Sequence, residues 1–316
     1  MAVAELTMTA DPRPVPSAVW SLRLALFSAA LLLIAVALHR LLGLSTPILL
    51  NILLISFAGA AVAVLLSLAA LLRIWISGRD GFLSSLTGLF VGLAILGWPA
   101  VYLAMARDLP RINDVSTDTS SPPQLAAVAK LRGPGANSPA YPPGFATLQA
   151  SGYPDLAPVL INRSAEETFD LAAEAVRRLK FQIVTETPPG ADTTQPGTIE
   201  AVERTLVMGF QDDIVIRVTG GLTSARVDVR SASRYGDFDF GRNAARVRSF
   251  LKELKVRLDS SVPAAAGPRS VRDRLNRKAV PKRLQGADRK KGGRQSEQGR
   301  ARSDAQHAPE PRARPR

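Results

Sequence analysis

The fold is decided by residues 198–258, which read TIEAVERTLVMGFQDDIVIRVTGGLTSARVDVRSASRYGDFDFGRNAARVRSFLKELKVRL. Apolar and polar residues alternate there in three segments, 198–205, 213–218 and 225–231, as is typical of half-buried strands. Gly220-Gly221 predicts a tight turn between the last two segments. From Asp239 onward, apolar residues recur every three or four positions, which predicts an amphipathic helix. The stretch therefore predicts antiparallel strands followed by a helix.

The residues before this stretch add a helix and a strand. Ser164 followed by Glu167 is a capping box, and the apolar spacing after it predicts a helix over 165–180. Residues 181–186 alternate as a further strand. Two amphipathic helices and several strands predict an α+β domain over 107–259, in which helices pack on one face of an antiparallel sheet.

Three apolar stretches precede this domain, at 19–42, 48–72 and 82–105. A hydrocarbon core of about 30 Å needs roughly 20 apolar residues in a helix, so each stretch is long enough to cross a membrane. We expect an N-terminal tail over 1–17 and a three-helix transmembrane region over 18–106. Ser84, Gly88 and Gly92 form a small-residue face on the third stretch, which favours packing within this bundle over self-association.

The arginines beside the three stretches predict the orientation, because short loops on the cytoplasmic side carry more Lys and Arg. With the N-terminus inside, four arginines lie on that side: Arg13, Arg23, Arg73 and Arg79. Three lie on the other side: Arg40, Arg107 and Arg111. We expect an integral protein of a bacterial inner (plasma) membrane, with the soluble domain in the periplasm or otherwise outside the cytoplasm.

The net charge of +13 belongs mostly to the C-terminus. Residues 268–316 hold 16 Lys and Arg against 5 Asp and Glu, or +11, which leaves +2 for the rest of the chain. Residues 260–316 have too few apolar side chains to form a core, and we expect a disordered basic tail. Such a tail is either simply solvated or in contact with anionic lipid or another polyanion. It has no interleaved aromatic residues, so specific nucleic-acid binding is not expected.

Several classes of chemistry are excluded or disfavoured by composition. The chain has no cysteine and two histidines, His39 and His307, both outside the predicted domain. A Ser–His–Asp triad, a thiolate site and a multi-histidine metal site are therefore excluded within it. There is no Walker motif or dinucleotide fingerprint, and no cofactor is expected. Asp237 and Asp239 are two nearby carboxylates, too few to predict a metal site.

The predicted hairpin concentrates charge on one face, because side chains alternate along a strand. That face carries Asp213, Arg217, Arg226, Asp228, Arg230 and Arg234. In a structural interpretation Asp213, Arg217, Asp228, Arg230 and Arg234 form a salt-bridged outer face together with Asp212, while Asp239 and Asn243 cap or brace the last helix. In a functional interpretation Arg230 and Arg234 form an anion-binding fork that Asp213 orients. We favour the structural interpretation, since exposed ion-pair faces are common.

Residues 113–118, NDVSTD, precede Pro122-Pro123, and two further motifs follow at Tyr141-Pro142 and 153–158, YPDLAP. With 198–258, these motifs resemble domain-of-unknown-function family 1499 over about 110–258. The resemblance implies that the Pro-rich residues 110–158, which composition alone would make a linker, form an ordered strap around the core. The sequence departs from the family at Asp237-Phe238, where members usually carry a small or polar residue, so this region is expected to pack differently.

The resemblance also implies a shared polar centre. Its positions here are Asp212, Asp213, Arg217, Arg230, Ser231, Ser233, Arg234, Asp239, Gly241, Asn243 and Arg246. All of these except Gly241 are candidates for ligand binding, and no catalytic residue is assigned. We expect a non-catalytic domain that binds an anionic ligand, a lipid headgroup or a partner protein. The alternative is a hydrolase-like enzyme that uses Asp213 as base and Arg230 with Arg234 as a clamp, and that needs Asp213 to meet Ser231 or Ser233.

Overall fold

The structure is a computed structural model that describes residues 13–190 and 195–261. The predicted N-terminal tail before residue 13 and the predicted basic tail beyond residue 261 lie outside the described residues. Within them the chain forms three long apolar helices followed by a mixed domain. This arrangement confirms the predicted architecture.

The three long helices are α1 (Pro16–Leu42), α2 (Thr46–Ser77) and α3 (Phe82–Met105). Each is long and apolar enough to cross a membrane. Gly43 and Gly78 end α1 and α2 in the left-handed conformation, with φ of 73° and 68°, which glycine adopts without steric cost.

The small-residue face of α3 packs inside this bundle. A Cβ atom on Gly88 would lie 3.0 Å from the Oγ atoms of Ser21 on α1 and Ser67 on α2, and one on Gly92 would lie 2.7 Å from Val64 Cγ2. Small residues are therefore required for the helices to approach this closely. Ser84 is only partly buried, and its neighbour Ser85 takes the inward position.

The domain is built on one six-stranded antiparallel sheet. Its strands are β1 (Asp114–Ser116), β2 (Val159–Ile161), β3 (Gln182–Thr187), β4 (Gly197–Arg204), β5 (Gln211–Gly220) and β6 (Ala225–Ser233). The order across the sheet is β1-β6-β5-β4-β3, and β2 also pairs with β6. Gly220 has a φ of 143° at the β5–β6 turn, and a Cβ there would lie 2.3 Å from Ser224 O, so the predicted turn needs this glycine.

The two faces of the sheet are covered in different ways. Helices α5 (Ala165–Arg178) and α6 (Arg242–Ser260) pack on one face, over a core that includes Phe169, Ile214 and Phe250. Residues 110–158, which we call the strap, begin with β1 and then cross the other face, where they carry a short 3₁₀ helix (Val128–Leu131). They continue through α4 (Phe145–Gly152) to Tyr153 and Leu156, which join the core on the helix side. A smaller apolar cluster lies under the strap. The predicted ordered strap is thus confirmed.

Candidate functional site

The polar residues of the candidate site form two clusters on opposite faces of β5 and β6. Side chains alternate along a strand, so neighbouring residues such as Asp212 and Asp213 point to opposite faces. The strap-side cluster consists of Asp114, Arg132, Asp213, Arg230 and Arg234. The helix-side cluster consists of Glu203, Asp212, Ser231, Asn243 and Arg246.

Arg230 connects the sheet to the strap and is fully buried. Its Nε and Nη2 atoms donate to the two carboxylate oxygens of Asp114 at 3.0 and 2.7 Å. Nη1 donates to Pro123 O at 3.0 Å and Nη2 also donates to Pro139 O at 2.8 Å. The guanidinium carbon lies 5.5 Å from the ring centre of Tyr141. Arg230 thereby satisfies a buried carboxylate and two carbonyls of the strap.

Asp213 lies between two arginines in the same cluster. Arg234 donates to Asp213 Oδ1 from Nε and Nη2, at 2.8 and 2.7 Å, and Arg132 Nε donates to Oδ2 at 2.8 Å. The two arginines also reach strap carbonyls, at Leu131, Asn137 and Ser138. Arg132 Nη2 is buried without a hydrogen-bond partner among the described residues. Three guanidinium groups thus share two carboxylates, and carbonyl oxygens supply most of the remaining acceptors.

Burial dominates the electrostatics of this cluster. The pKa of Asp114 is raised above its usual 3.8 because desolvation outweighs the hydrogen bonds and charge of Arg230. Desolvation, with a smaller contribution from the charge of Asp114, raises the pKa of Tyr141 to about 12. Both pKa values are raised because the centre of this cluster is shielded from water.

The strap-side charges continue toward the β5–β6 turn. Arg217 and Arg226 both pair with Asp118 of the strap and with Asp228 of β6, at distances of 2.8 to 3.1 Å. Burial alone would raise the pKa of Asp118. Hydrogen bonds from Ser120 and Ser121 and the charges of Arg226 and Arg217 together lower it.

Glu200 on β4 holds the strap through its amides. Its carboxylate accepts hydrogen bonds from the N–H groups of Ala126, Ala127 and Val128, each at 3.0 Å. These amides lie at the start of the short 3₁₀ helix, where N–H groups lack partners within the helix. A buried acidic residue therefore completes the hydrogen bonding of this segment.

Arg246 organises the helix-side cluster from the first turns of α6. It donates to Asp212 Oδ2 at 2.6 Å and to Ser231 Oγ at 2.8 Å, and it also bonds Glu203 and Asn243. Asn243 donates in turn to Ser233 Oγ at 3.0 Å. This cluster fixes the start of α6 against β5 and β6.

Asp239 caps the same helix. It accepts from the amides of Gly241 and Asn243 at 2.8 and 2.7 Å, which satisfies two of the N–H groups that a helix leaves unpaired at its start. Desolvation raises its pKa in spite of these bonds. The prediction that Asp239 and Asn243 brace the last helix is confirmed.

The prediction of an exposed ion-pair face is wrong in two respects. The face is buried, because the strap covers it and brings its own partner, Asp114. Asp212 does not belong to it, since it faces α6 and pairs with Arg246. The hydrolase hypothesis needed Asp213 to meet Ser231 or Ser233. Ser231 Oγ contacts only the backbone oxygen of Asp213, and both serines bond Asn243 on the helix side. Within residues 13–190 and 195–261, no group of three or more acidic or histidine side chains could hold a metal ion.

Comparison with known families identifies the domain that carries both clusters. Residues 114–254 match the model of the family described as "Protein of unknown function (DUF1499)". The domain is similar to this family over these residues. No curated protein matches the chain. The match to the DUF1499 family confirms the resemblance inferred from the sequence motifs.

Several residues of the clusters and of the strap attachment were not among the candidates, including Asp114, Glu203, Arg132 and Glu200. Arg132 lies in the Pro-rich segment and Glu200 on a strand whose sequence resembles any half-buried strand. Neither position stands out in spacing or composition, so only the fold could assign them. The apolar loop at 205–210 did carry a signal, since five of its six residues, LVMGF, are apolar or glycine at a place where a polar turn is usual.

Proposed function

We propose that this integral membrane protein presents its DUF1499 domain outside the cytoplasm as a non-catalytic binding module for an anionic ligand, a lipid headgroup or a partner protein. The observation that carries this proposal is that the charged candidate residues pair with other groups of the domain itself. Asp213 pairs with Arg234, and Arg230 pairs with Asp114 of the strap. All three candidate side chains are buried. A catalytic base or an anion clamp must reach its substrate, and these groups face protein.

Among the residues that the structure describes, Arg132 is the one member of the strap-side cluster with a buried donor that has no partner, at Nη2. Its Nε, on the same edge of the guanidinium group, donates to Asp213 Oδ2, a carboxylate that it shares with Arg234. The Nη2 atom is itself buried, so a ligand in solution does not reach it in this structure. Ligands and partners therefore have to use the outer surface of the domain.

The absence of cysteine from the whole chain makes these statements testable with single substitutions. Ser231→Cys places a thiol of similar size in the buried helix-side cluster, and Ser151→Cys places one on the exposed surface of α4. In detergent-solubilised full-length protein, iodoacetamide should modify residue 151 rapidly and residue 231 only on unfolding. Rapid modification of residue 231 in a variant that keeps the wild-type melting temperature would show that the helix-side cluster opens to solutes, and would restore Ser231 as a candidate nucleophile.

The same approach tests the side of the membrane. Ser77→Cys lies at the exposed end of α2, and the domain follows the opposite end of the bundle. A membrane-impermeant maleimide applied to spheroplasts should label Ser151→Cys at once, but Ser77→Cys only after permeabilisation. The opposite pattern would place the domain in the cytoplasm, without changing the expectation for Ser231→Cys.

A further inference from the structure

The loop between β4 and β5, Thr205–Phe210, has an unusual composition for a hairpin connection, TLVMGF. It is closed by its own hydrogen bonds. Thr205 N donates to Phe210 O at 2.9 Å, Phe210 N donates to Thr205 Oγ1 at 2.9 Å, and Gly209 N donates to Thr205 O at 3.1 Å. These hydrogen bonds tie the two ends of the loop together.

One side of the loop packs on the membrane helices. Met208 is only 8% exposed and joins an apolar cluster with Ala35, Leu49 and Leu53 of α1 and α2. The ring of Phe210 lies 5.9 Å from that of His39. These contacts fix the loop against the end of the bundle.

The contacts of the loop backbone show where the loop lies along α1. Arg40 Nη1 donates to Thr205 O at 3.2 Å, and a Cβ atom on Gly209 would lie 3.7 Å from His39 Cδ2. His39 precedes the end of α1 at Leu42 by three residues. At 1.5 Å per residue, the loop sits about 5 Å inside the end of that helix.

The other side of the loop is apolar and uncovered. Leu206 is 82% exposed and Val207 is 61% exposed. Leu41 and Leu42, at the end of α1 that the loop contacts, are also exposed. No described residue packs over these two side chains, although Met208 beside them is buried. Two adjacent exposed apolar residues on a rigid loop mark a contact surface more clearly than a single one does.

We propose that Leu206 and Val207 insert into the bilayer and that its acyl region is their partner. The helices on which the loop rests are long and apolar enough to cross a membrane, and this surface is continuous with theirs. Arg40 and Arg204 are exposed beside the loop, where their charges can reach the headgroups. The inference goes beyond the proposed function and holds on either side of the membrane.

A second contact keeps the domain in this position. Phe240 lies edge-on to Tyr102 near the end of α3, with ring centres 6.2 Å apart, and Phe238 lies 4.5 Å from Phe240. Phe238 is part of the segment in which the sequence departs from the family. The domain therefore contacts the bundle both at the β4–β5 loop and beside α3, which restricts rotation of the loop away from the membrane.

The test uses Leu206→Cys and Val207→Cys, each labelled with the environment-sensitive fluorophore NBD in the full chain, reconstituted in phosphatidylcholine–phosphatidylglycerol vesicles. The matched control is Leu222→Cys, also an exposed leucine at 73% but in the turn at the other end of β5. Ten residues of strand at about 3.3 Å each separate the two turns. Lipids with a nitroxide on the acyl chain report contact with the bilayer interior.

We expect NBD at positions 206 and 207 to emit at shorter wavelength than at 222, and to lose most of its fluorescence to the acyl-chain nitroxide. NBD at 222 should show aqueous emission and no quenching. Equal, aqueous behaviour at all three positions would overturn the proposal. So would short-wavelength emission at 206 and 207 without lipid quenching, because protein would then cover the loop. Iodoacetamide reactivity at Ser231→Cys and maleimide labelling at Ser151→Cys are independent of these readings, so a failure here is distinguishable from a failure of the proposed function.

Discussion

The two faces of the β5–β6 hairpin are stabilised by different means. On the helix side, Ile214, Ile216 and Val229 meet apolar residues of α5 and α6, and charge is confined to the start of α6. On the strap side, charged residues alternate with Val215 and Ala232 along the length of the hairpin. The same two strands thus support an apolar interface and an ionic one.

The difference follows from the backbone of what covers each face. A helix satisfies its own N–H and C=O groups, so apolar packing is sufficient to hold it. The strap is rich in proline and mostly irregular, and its buried carbonyls need donors from elsewhere. Arg230, Arg234 and Arg132 donate to five strap carbonyls, while Glu200 accepts from three strap amides. Charged side chains here supply the hydrogen bonds to the strap backbone that neighbouring strands supply to one another in a regular sheet.

The largest effect is expected for Arg230→Met, which keeps the apolar stem but removes the guanidinium group. It leaves Asp114 and two strap carbonyls buried without donors, and should cost about 3–5 kcal/mol of unfolding free energy in chemical denaturation. The control is Arg248→Met, whose pair with Asp155 is exposed and should be worth at most about 1 kcal/mol. Adding Asp114→Leu to Arg230→Met should recover much of the loss, because both partners are then removed. No recovery in the double variant would contradict an ionic origin.

Leu254→Ala probes the apolar face. Leu254 is buried in the core beneath α6, and its truncation should cost about 3 kcal/mol through lost burial and a residual cavity. Unlike the loss in Arg230→Met, this loss should not depend on any single partner. A strong dependence of the Leu254→Ala loss on substitution of Asp114 would show that the two faces are not independent.

Glu200→Gln tests the attachment of the strap alone. The amide keeps one acceptor oxygen and turns an N–H₂ group toward the strap amides, so about 1–3 kcal/mol should be lost. Hydrogen exchange should accelerate first at Ala126–Val128, where the three bonds end. Equal acceleration in α5 would mean that the strap does not open as a separate unit.

Asp118→Asn should change the acid sensitivity of the strap by the smallest amount. Because the pKa of Asp118 is lowered in the folded state, its charge stabilises the fold above its usual pKa of 3.8, and this contribution is lost as the pH falls through the folded pKa. Asparagine can still accept from Ser120 and Ser121, so the variant isolates the charge. Acid unfolding followed by circular dichroism should be less steep than in wild type. Asp237→Asn, at an exposed position, serves as the control.

Prediction from the sequence succeeded where a pattern is local. The helix after Ser164 was predicted from its capping box, and Ser164 Oγ accepts from Glu167 N at 3.1 Å as that motif requires. The strands on either side of Gly220 followed from alternation and the turn. The short strands β1 and β2 were missed, since three residues are too few to show a period.

The candidate site was predicted as a set of residues but not as a geometry. Alternation placed Arg230 and Asp213 on one face, as observed, but gave no information about what lies over that face. Asp114 is 116 residues from Arg230 in the chain, and no local rule connects them. The face that was predicted to be exposed is therefore buried in the structure.

By itself, the sequence determined the three apolar helices, the strand and helix order and the family of the domain, because length, period and motif are properties of consecutive residues. Only the tertiary structure decided that the strap closes over the arginines, that Asp212 and Asp213 serve different clusters, and that an apolar loop meets the membrane helices. Those outcomes depend on which surfaces meet, and burial turns the same charged side chains from a solvated face into the internal framework of the domain.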